Sequence, residues 1–238
     1  MTTDRLHRKI LVMKISIIIP IHNEEVLLPD VMKNIRRLAF EKEIILVDDG
    51  STDGTHALLK KESSFPDTKV LYHGINQGKG ASIRTGLQQV TGDIVIIQDA
   101  DMEYNSDEIP RVLEPILKGE TQVSYGSRFL GRINNMRLPN RVANHLLAWM
   151  VSLLYGQVIT DEATAYKAFR TEVIQSIPLN CTRFEFCPEI TAKVLKRGYK
   201  IIEVPVSYTA RTFEEGKKIG WKDFFQAVKI LLKYRFRD

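Results

Sequence analysis

The chain has 238 residues, 44% of them apolar and 26% charged, which is ordinary for a globular protein large enough to bury a core. Its net charge of +5 lies within residues 217–238, where seven Lys or Arg stand against two Asp, so the remaining chain is neutral overall. A neutral body argues against a general nucleic-acid-binding surface, and two cysteines are too few for a disulfide framework or a structural zinc site.

The chain contains no segment typical of export or of membrane insertion. Basic residues occur within 5–14, but no cleavage site of small residues follows them, so a signal peptide is not predicted. The longest apolar run, 146–155, is ten residues long and falls short of the roughly 18 that a spanning helix needs. These features predict a cytoplasmic protein in which Cys181 and Cys187 are reduced thiols.

Strand and helix patterns alternate through the first half of the chain. Apolar runs without polar alternation predict buried strands at 15–19, closed by Pro20, and at 44–47, 70–72, 94–98 and 122–125. A helix is predicted from about residue 24, and two more are expected after 52–53 and after the turn at 76–80. This alternation predicts an α/β fold with a Rossmann-like, doubly wound and mostly parallel sheet.

The second half of the chain is less regular. Helices are predicted at about 141–155, at 188–197 before Gly198, and at 224–236, with strands at 166–169 and 201–206. Residues 211–220 combine charges of both signs with two glycines and predict a mobile loop. No repeat or linker divides the chain, so one domain spanning 1–238 is expected.

Two acidic turns follow predicted strands. Asp48 and Asp49 follow the strand at 44–47, and Asp99 and Asp101 follow the strand at 94–98. The carboxyl ends of parallel strands form the ligand-binding edge of an open α/β sheet, so these side chains are expected at one site. Asp99 and Asp101 fall on the same side of an extended segment and offer hard oxygen ligands to Mg²⁺ or Mn²⁺. The pattern predicts a phosphorylated ligand held through a divalent cation.

Six motifs occur in an order that resembles family 2 glycosyltransferases of the dolichyl-phosphate-mannose-synthase-like branch. They are 20–24 (PIHNE), 47–51 (VDDGS), 76–80 (NQGKG), 99–101 (DAD), 126–128 (GSR) and 204–208 (VPVSY). The resemblance covers roughly residues 16–221 and implies a GT-A fold, a nucleotide-sugar donor, Mg²⁺ or Mn²⁺, and inversion at the anomeric carbon. It also implies a nucleotide-sugar-binding half at about 14–125 and an acceptor-side half with a basic amphipathic C-terminal helix at about 126–238.

The resemblance assigns roles to residues of the first half. It implies metal ligands at Asp99, Asp101 and Glu103, although many relatives carry Gln at the last of these positions. It implies contacts to the nucleotide sugar from Pro20, His22, Glu24, Asp48, Asp49, Lys79, Asp99, Ala100 and Asp101. It stays open that His22 is an exposed loop histidine. A turn at Asp49 and Gly50 and a helix cap at Thr52 are also expected, and they are compatible with a nucleotide contact.

The acceptor is predicted from the cations that follow Asp101. A phosphate acceptor is already ionised and needs cations to hold it, and planar guanidinium groups suit this contact. Arg128 and Arg211 follow strand ends and are expected to face the site, and Arg141 with Asn144 resembles the acceptor-phosphate segment of the family. A polyprenyl or dolichyl phosphate acceptor and a GDP-mannose or UDP-glucose type of donor are therefore expected. The predicted acceptor-phosphate residues are Arg128, Arg141, Asn144, Arg211 and Lys217, and the predicted catalytic residues are Asp101, Arg128, Arg211 and Glu189.

Other activities stay open as alternatives. A sugar hydroxyl of a glycan or glycolipid would need a carboxylate base, for which Asp161, Glu162 and Glu189 are candidates. A nucleotidyltransferase is more remote, because the segment 20–24 lacks the glycine-rich loop typical of that class. A non-catalytic sensor of sugar nucleotides is disfavoured by the presence of both Asp99 and Asp101.

The predicted C-terminal helix interleaves apolar and basic residues. This pattern is typical of a helix on an anionic membrane surface, and equally of a terminal helix that packs its apolar face on the sheet. The two interpretations are compatible with each other. Together with the apolar helix at 141–155, this helix would hold a lipid chain, so peripheral attachment to the cytoplasmic face of a membrane is expected.

Overall fold

A seven-stranded sheet forms the centre of the protein. The computed structural model describes residues 13–211 and 221–237. The large sheet has the order β3-β2-β1-β4-β7-β5-β8, and β6 pairs with β9 in a separate two-stranded sheet. Neighbours in the large sheet are parallel except that β7 is antiparallel to both β4 and β5. The strands are β1 (Ile15–Ile21), β2 (Lys42–Asp49), β3 (Thr68–His73), β4 (Ile94–Ile97), β5 (Val123–Ser127), β6 (Ile133–Asn134), β7 (Lys167–Arg170), β8 (Ile201–Pro205) and β9 (Tyr208–Thr209).

Helices cover both faces of the sheet. Alternate residues of β1 point to opposite faces, so Ile17 and Ile19 pack in one apolar cluster with the first and fourth helices. Ile18 packs in a second cluster with the third, fifth, seventh and eighth helices. This arrangement confirms the predicted mostly parallel α/β fold. The helices are α1 (Leu28–Arg36), α2 (Thr55–Glu62), α3 (Lys79–Leu87), α4 (Ile109–Lys118), α5 (Leu138–Tyr155), α6 (Thr171–Ser176), α7 (Phe186–Lys196) and α8 (Trp221–Phe236), with a 3-10 turn at Ser106–Glu108.

The strand register brings several segments to one edge of the sheet. Ile21 of β1 pairs with Asp48 of β2, and Ile18 of β1 pairs with Ile97 of β4. The segments that follow these three strands therefore leave the sheet at the same edge. Strand β7 runs in the opposite direction, so the segment before it, 159–166, also arrives there. Both acidic turns and the segment that contains Asp161 and Glu162 thus meet at the carboxyl edge.

Pro20 lies inside β1 instead of closing it, which corrects the predicted end of this strand. The Gln98 N–H donates to the Ile18 carbonyl at 3.0 Å, so Ile18 faces β4, and Pro20, two residues later, faces the same side. Strand β4 ends at Ile97, opposite Ile18, and makes no ladder with Pro20. The missing N–H of proline therefore costs no strand hydrogen bond, and β1 continues beside β2.

The chain after β8 contains a short strand that was not predicted. Strand β9 pairs in parallel with β6, with Ile133 opposite Tyr208, and Tyr208 also bridges Tyr104. This pairing carries Arg211 back to the segment that follows β4. Of the loop predicted at 211–220, all residues but Arg211 lie outside the described residues.

Candidate active site at the ends of β1 and β4

A pocket of about 160 Å³ opens at the carboxyl edge of the sheet. A larger cleft of about 500 Å³ lies at the opposite edge, among the turns that precede β1, β5 and β8. The smaller pocket is the candidate site, because ligands of open α/β sheets bind beyond the carboxyl ends of the strands. Its lining contains eight of the nine residues predicted to contact a nucleotide sugar, namely Pro20, His22, Glu24, Asp49, Lys79, Asp99, Ala100 and Asp101.

Asp101 is the most buried carboxylate of an acidic group that includes Asp99 and Glu103. Its side chain is nearly inaccessible, and its Oδ1 accepts the Glu103 N–H at 3.1 Å. Burial, followed by the charges of Asp99 and Glu103, raises the pKa of Asp101 to about 7, and Arg211 only partly offsets these effects. The pocket therefore concentrates more negative charge than its own cations neutralise.

Arg211 lies at the centre of this acidic group. Its Nη2 donates to Asp101 Oδ2 at 2.7 Å, and its Nη1 lies 3.2 Å from Glu24 Oε1. Its backbone N–H donates to Glu103 Oε1 at 2.8 Å. Burial disfavours the charged guanidinium, but Asp101, Glu24 and Glu103 outweigh it and raise the pKa of Arg211 above its ordinary value. Arg211 therefore faces the site, as predicted, although 110 residues separate it from Asp101.

Lys79 occupies the other side of the pocket and contacts Asp99, with its Nζ 2.5 Å from Asp99 Oδ1. Burial disfavours the ammonium ion, but Asp99 outweighs it and raises the pKa of Lys79. The first amides of α3 are already used, because Gly80 N–H donates to the Arg183 carbonyl at 3.0 Å. A Cβ on Gly80 would lie 2.8 Å from that carbonyl oxygen, which explains the glycine. The side chain of Lys79, and not the turn amides, is therefore the group able to contact a phosphate.

Asp49 holds the turn at 76–80 in position. Its Oδ1 accepts the Gln77 N–H at 2.8 Å, and its Oδ2 accepts the Gly78 N–H at 2.7 Å. His73 Nδ1 lies 2.7 Å from the same Oδ1. Asp49 therefore stabilises a turn other than the one that it forms with Gly50, and its contact with a nucleotide stays a prediction. Asp48 accepts the Ser51 N–H at 2.9 Å, is buried, and does not line the pocket.

Asp99 and Asp101, the acidic couple, can hold a divalent cation only if a bound ligand supplies further coordinating atoms. In the described part of the chain, no three His, Cys, Asp or Glu side chains are grouped as a complete metal site. Asp99 and Asp101 nevertheless present hard oxygen donors, which Mg²⁺ and Mn²⁺ prefer, and the five carboxylates that line the pocket outnumber its two cationic side chains, Lys79 and Arg211. Mg²⁺ is commonly bound by one or two carboxylates together with substrate phosphates. These residues therefore fit a cation that arrives with a phosphorylated ligand.

Arg128 has a different partner from the one predicted. Its Nε and Nη2 donate to the two oxygens of Asp161, each at 2.7 Å, and its backbone N–H donates to Asp161 Oδ2 at 2.9 Å. Both side chains are buried, and neither lines the pocket. This placement corrects the expectation that Arg128 faces the site. The guanidinium joins the end of β5 to the segment before β7.

Glu189 is also committed to structural contacts. Its carboxylate accepts the Asn180 and Cys181 N–H groups at 2.8 and 2.6 Å, and it contacts Lys193 Nζ at 2.5 Å and the Tyr234 hydroxyl at 2.9 Å. Burial opposes ionisation, but hydrogen bonds from Lys193, Asn180 and Tyr234 lower the pKa of Glu189. Both of its oxygens are engaged, it is 1% exposed and it does not line the pocket, so its catalytic role has no support from the described contacts and stays a prediction.

The other predicted acceptor-side residues lie outside the pocket lining. Arg141 is exposed and Asn144 half-buried in the first turns of α5. The ring of His145, the next residue, lies 4.1 Å from that of Phe129, so this part of α5 is beside the end of β5. The contact of Arg141 and Asn144 with an acceptor phosphate stays a prediction. Lys217 lies outside the described residues.

Four lining residues were not predicted as site residues: Ile21, Ser82, Phe184 and Tyr208. The Tyr208 hydroxyl donates to Glu103 Oε2 at 2.9 Å and holds that carboxylate toward Arg211. Tyr208 belongs to the motif at 204–208, which was recognised without a role for this residue. Phe184 reaches the pocket because the segment 182–183 packs on the start of α3, a contact between distant segments that no local pattern reveals.

Glu162 is a buried carboxyl group whose two oxygens have no hydrogen-bond partner in the part of the chain that the structure describes. Burial raises its pKa to about 7, and the charge of Lys167 opposes this effect. Its neighbour Asp161 is bound to Arg128, and Glu189 accepts four contacts. Of the three carboxylates predicted as alternative bases, Glu162 is therefore the one with uncommitted oxygens, although it does not line the pocket.

Comparisons with known proteins agree with the motifs. The model of the family described as "Glycosyl transferase family 2" matches residues 16–177. The UDP-N-acetylglucosamine–dolichyl-phosphate N-acetylglucosaminyltransferase of Methanococcus voltae is 30% identical over 91% of this chain and 95% of that protein. The dolichol-phosphate mannosyltransferase of Pyrococcus furiosus is 28% identical over 93% of this chain and 63% of that protein.

Solved structures share the fold. Glucosyl-3-phosphoglycerate synthase from Mycobacterium tuberculosis, crystallised with Mn²⁺, UDP and phosphoglyceric acid, aligns with a TM-score of 0.77 and 22% identity. The alignment covers 100% of this chain and 84% of that one. This likeness confirms the predicted GT-A fold. Within residues 13–211 and 221–237, no helix has both the length and the apolar character required to cross a bilayer.

Proposed function

The chain belongs to glycosyl transferase family 2, and we propose that it transfers a sugar from a nucleotide-sugar donor to the phosphate of a polyprenyl or dolichyl phosphate. The donor is of the GDP-mannose or UDP-glucose type, the reaction uses Mg²⁺ or Mn²⁺, and the anomeric configuration is inverted. Relatives named as dolichyl-phosphate and dolichol-phosphate transferases support this acceptor class. The protein is in any case a glycosyltransferase.

The observation that carries the proposal is a pocket that contains both cationic side chains and carboxylates that already have hydrogen-bond or ion-pair partners. Lys79 and Arg211 line it and contact Asp99 and Asp101. Glu24 binds Arg211, while Asp49 and Glu103 accept hydrogen bonds, so each of the five lining carboxylates already has a partner. A hydroxyl acceptor needs a free base, whereas an ionised phosphate needs only cations to hold it. The pocket supports the second requirement.

The donor would bind across the ends of β1, β2 and β4. Asp99 and Asp101 are the residues that would ligate Mg²⁺ or Mn²⁺, with donor phosphates completing the shell. When bound, such a cation neutralises the leaving diphosphate as the sugar bond breaks. The ammonium group of Lys79 contacts Asp99 and is therefore within reach of the same phosphates. Pro20, His22 and Asp49 also line the pocket and would contact the base and the ribose.

In this proposal Arg211 holds the acceptor phosphate against the donor sugar. Its planar guanidinium offers paired N–H donors that match two phosphate oxygens. One acceptor oxygen forms a bond to the anomeric carbon, while the bond from that carbon to the diphosphate oxygen breaks and its electron pair leaves with the diphosphate. A single displacement from the opposite side inverts the configuration. The acceptor oxygen is already ionised, so no general base takes part.

We expect transfer to a polyprenyl phosphate to be at least about 100-fold faster than transfer to the corresponding free polyprenol or to sugar hydroxyls, because a site built for an ionised group rejects its neutral analogue. The measurement supplies radiolabelled GDP-mannose and UDP-glucose with Mn²⁺ and follows the label into the lipid phase. The free polyprenol is the matched control, since it differs only in the phosphate.

Label found only on hydroxyl acceptors would contradict this proposal and favour the second candidate, a family 2 transferase acting on a glycan or glycolipid. The uncommitted carboxyl of Glu162 is the observation that keeps this candidate. A base needs an unprotonated oxygen free to take a proton, and a pKa of about 7 suits that role. In that case Glu162→Gln would abolish transfer, whereas phosphate glycosylation would survive this change.

An exposed apolar surface on α5 and α8 supports membrane attachment. Helix α8 buries Ala227, Leu231 and Tyr234 against the core, as the packing interpretation predicts, and its exposed side is compatible with the membrane interpretation. The Tyr155 hydroxyl of α5 donates to the Leu231 carbonyl of α8 at 2.7 Å and joins the two helices. We define the membrane face as the exposed residues Leu138, Val142, Leu146, Trp149 and Leu153 of α5 and Trp221, Phe225, Leu232 and Phe236 of α8.

We expect the purified protein to bind vesicles rich in anionic lipid, and Trp149→Ser with Phe225→Ser to weaken this binding at least about 10-fold, because each aromatic ring loses apolar area to bury. Both rings are exposed, at 65% and 66%, so folding should be preserved. Ile75→Ser, which changes an exposed apolar residue in the loop after β3, is the control. Equal sedimentation of all three proteins with vesicles would contradict the assignment of this face.

A further inference from the structure

Each aspartate of the acidic couple already forms an ion pair with a basic side chain. Asp99 contacts Lys79, and Asp101 Oδ2 accepts from Arg211 Nη2 at 2.7 Å. The other oxygen of Asp101 accepts the Glu103 N–H at 3.1 Å. Both oxygens of Asp101 are thus engaged, so a metal ion could ligate this carboxylate only at close approach to the guanidinium of Arg211.

The small volume of the pocket also indicates that a metal ion at Asp101 would lie close to Arg211. Its volume of about 160 Å³ is well below the roughly 300–1,000 Å³ of typical small-molecule sites. Arg211 contributes to this small volume, because its guanidinium spans from Glu24 to Asp101 across the pocket. A divalent ion that ligates Asp101 would be repelled by the guanidinium of Arg211 in its described position, since two cations repel each other at short range in a partly buried site.

The backbone of Arg211 is held by hydrogen bonds that do not involve its guanidinium. Its N–H donates to Glu103 Oε1 at 2.8 Å, and Tyr208 donates to Glu103 Oε2 at 2.9 Å. The Thr209 N–H also donates to the Glu103 carbonyl at 2.9 Å. A side chain that leaves Asp101 from such a fixed point stays at the mouth of the same pocket.

We propose that Arg211 is the resident counter-ion of Asp101 and that a divalent cation competes with it for this carboxylate. Displacement frees the guanidinium, which then binds the acceptor phosphate. The competition depends only on the described contacts of Arg211, whereas its second role rests on the proposed function. The guanidinium exchanges the Asp101 carboxylate for the acceptor phosphate and therefore stays paired with an anion.

The test titrates Mn²⁺ in the presence of saturating UDP or GDP, with no sugar donor and no lipid. Isothermal titration of wild type and Arg211→Gln should show at least about 10-fold tighter Mn²⁺ binding in the variant, because glutamine does not compete as a cation. Arg211→Lys keeps the charge and should stay near wild type. Arg84→Gln is the matched control, since Arg84 contacts the Cys181 carbonyl and not the acidic couple. Adding Asp101→Asn to Arg211→Gln should abolish the gain.

Equal or weaker Mn²⁺ binding by Arg211→Gln would overturn the inference while leaving the proposed function intact. Absence of Mn²⁺ binding in every protein would overturn it together with the proposed metal dependence. A second measurement addresses the released guanidinium, with a short, soluble prenyl phosphate as probe. Mn²⁺ should tighten probe binding by wild type and have no such effect on Arg211→Gln, and equal tightening in both proteins would exclude the transfer of Arg211 to the acceptor.

Discussion

Replacing Asp101 with asparagine is expected to lower the rate of sugar transfer by at least about 1,000-fold, which corresponds to about 4 kcal/mol of activation free energy. Asparagine keeps the shape of the side chain but removes the charge that would hold a divalent cation against the donor diphosphate. Because the effect arises at the leaving group, kcat should fall more than KM rises. Turnover of the nucleotide sugar with polyprenyl phosphate measures it directly.

This variant should remain folded, which separates its effect from simple loss of structure. The pKa of Asp101 is raised from 3.8 to about 7 in the folded protein, so the folded state binds this proton more tightly than the unfolded state. The contribution of Asp101 to stability is therefore full below about pH 4 and is lost as the pH rises toward 7. An asparagine side chain at this position cannot ionise, so we expect Asp101→Asn to unfold thermally at pH 7.5 at or above the wild-type temperature.

A matched control removes a similar charge nearby. Asp107 is exposed, lies on the 3-10 turn after the acidic group, and does not line the pocket. Asp107→Asn should therefore change activity by less than about twofold. If Asp101→Asn retained more than a tenth of wild-type activity, the acidic couple would not be the site of the reaction, and the proposed function would lose its basis.

The largest expected effect on stability is that of Asp161→Asn, which should lower the free energy of unfolding by about 3–5 kcal/mol. The change leaves the buried guanidinium of Arg128 without its charged partner, and both side chains are inaccessible to water. In a chain of this size, each kcal/mol corresponds to about 2–4 °C, so the melting temperature should fall by about 6–20 °C. Urea unfolding followed by circular dichroism provides the measurement.

Two companion variants identify the cause of this loss. Arg128→Met with Asp161→Leu removes both charges and should recover most of the lost stability, since buried ion pairs are often replaceable by apolar side chains. The side chain of Glu172 is 73% exposed and lies 3.9 Å from Arg170, so Glu172→Gln should cost less than about 0.5 kcal/mol. A wild-type melting temperature for Asp161→Asn would show that the pair is dispensable. Transfer by the double variant would further show that Arg128 does not hold the acceptor phosphate.

Local sequence patterns determined the framework of the protein. The uninterrupted apolar runs of β1, β2 and β4 are long enough to identify buried strands, because both faces of a parallel strand lie against helices. Asp99 and Asp101 could be identified as site residues for the same reason: carboxylates directly after a buried strand must leave the sheet at its ligand-binding edge. The motifs around these strands were sufficient to predict the family and the fold.

What the sequence could not determine were the partners that meet across long stretches of chain. Arg128 and Arg211 both follow strand ends, yet one is bound to Asp161, 33 residues later, and the other reaches Asp101 across 110 residues. The antiparallel course of β7 delivers Asp161 to the first, and the pairing of β9 with β6 delivers Arg211 to the pocket. The periodicity of side chains reports which face of an element is buried. Only the tertiary structure decides which charged side chains form an ion pair. The energy of an ion pair depends on the distance between its atoms, and partners far apart in the chain produce no periodic sequence pattern.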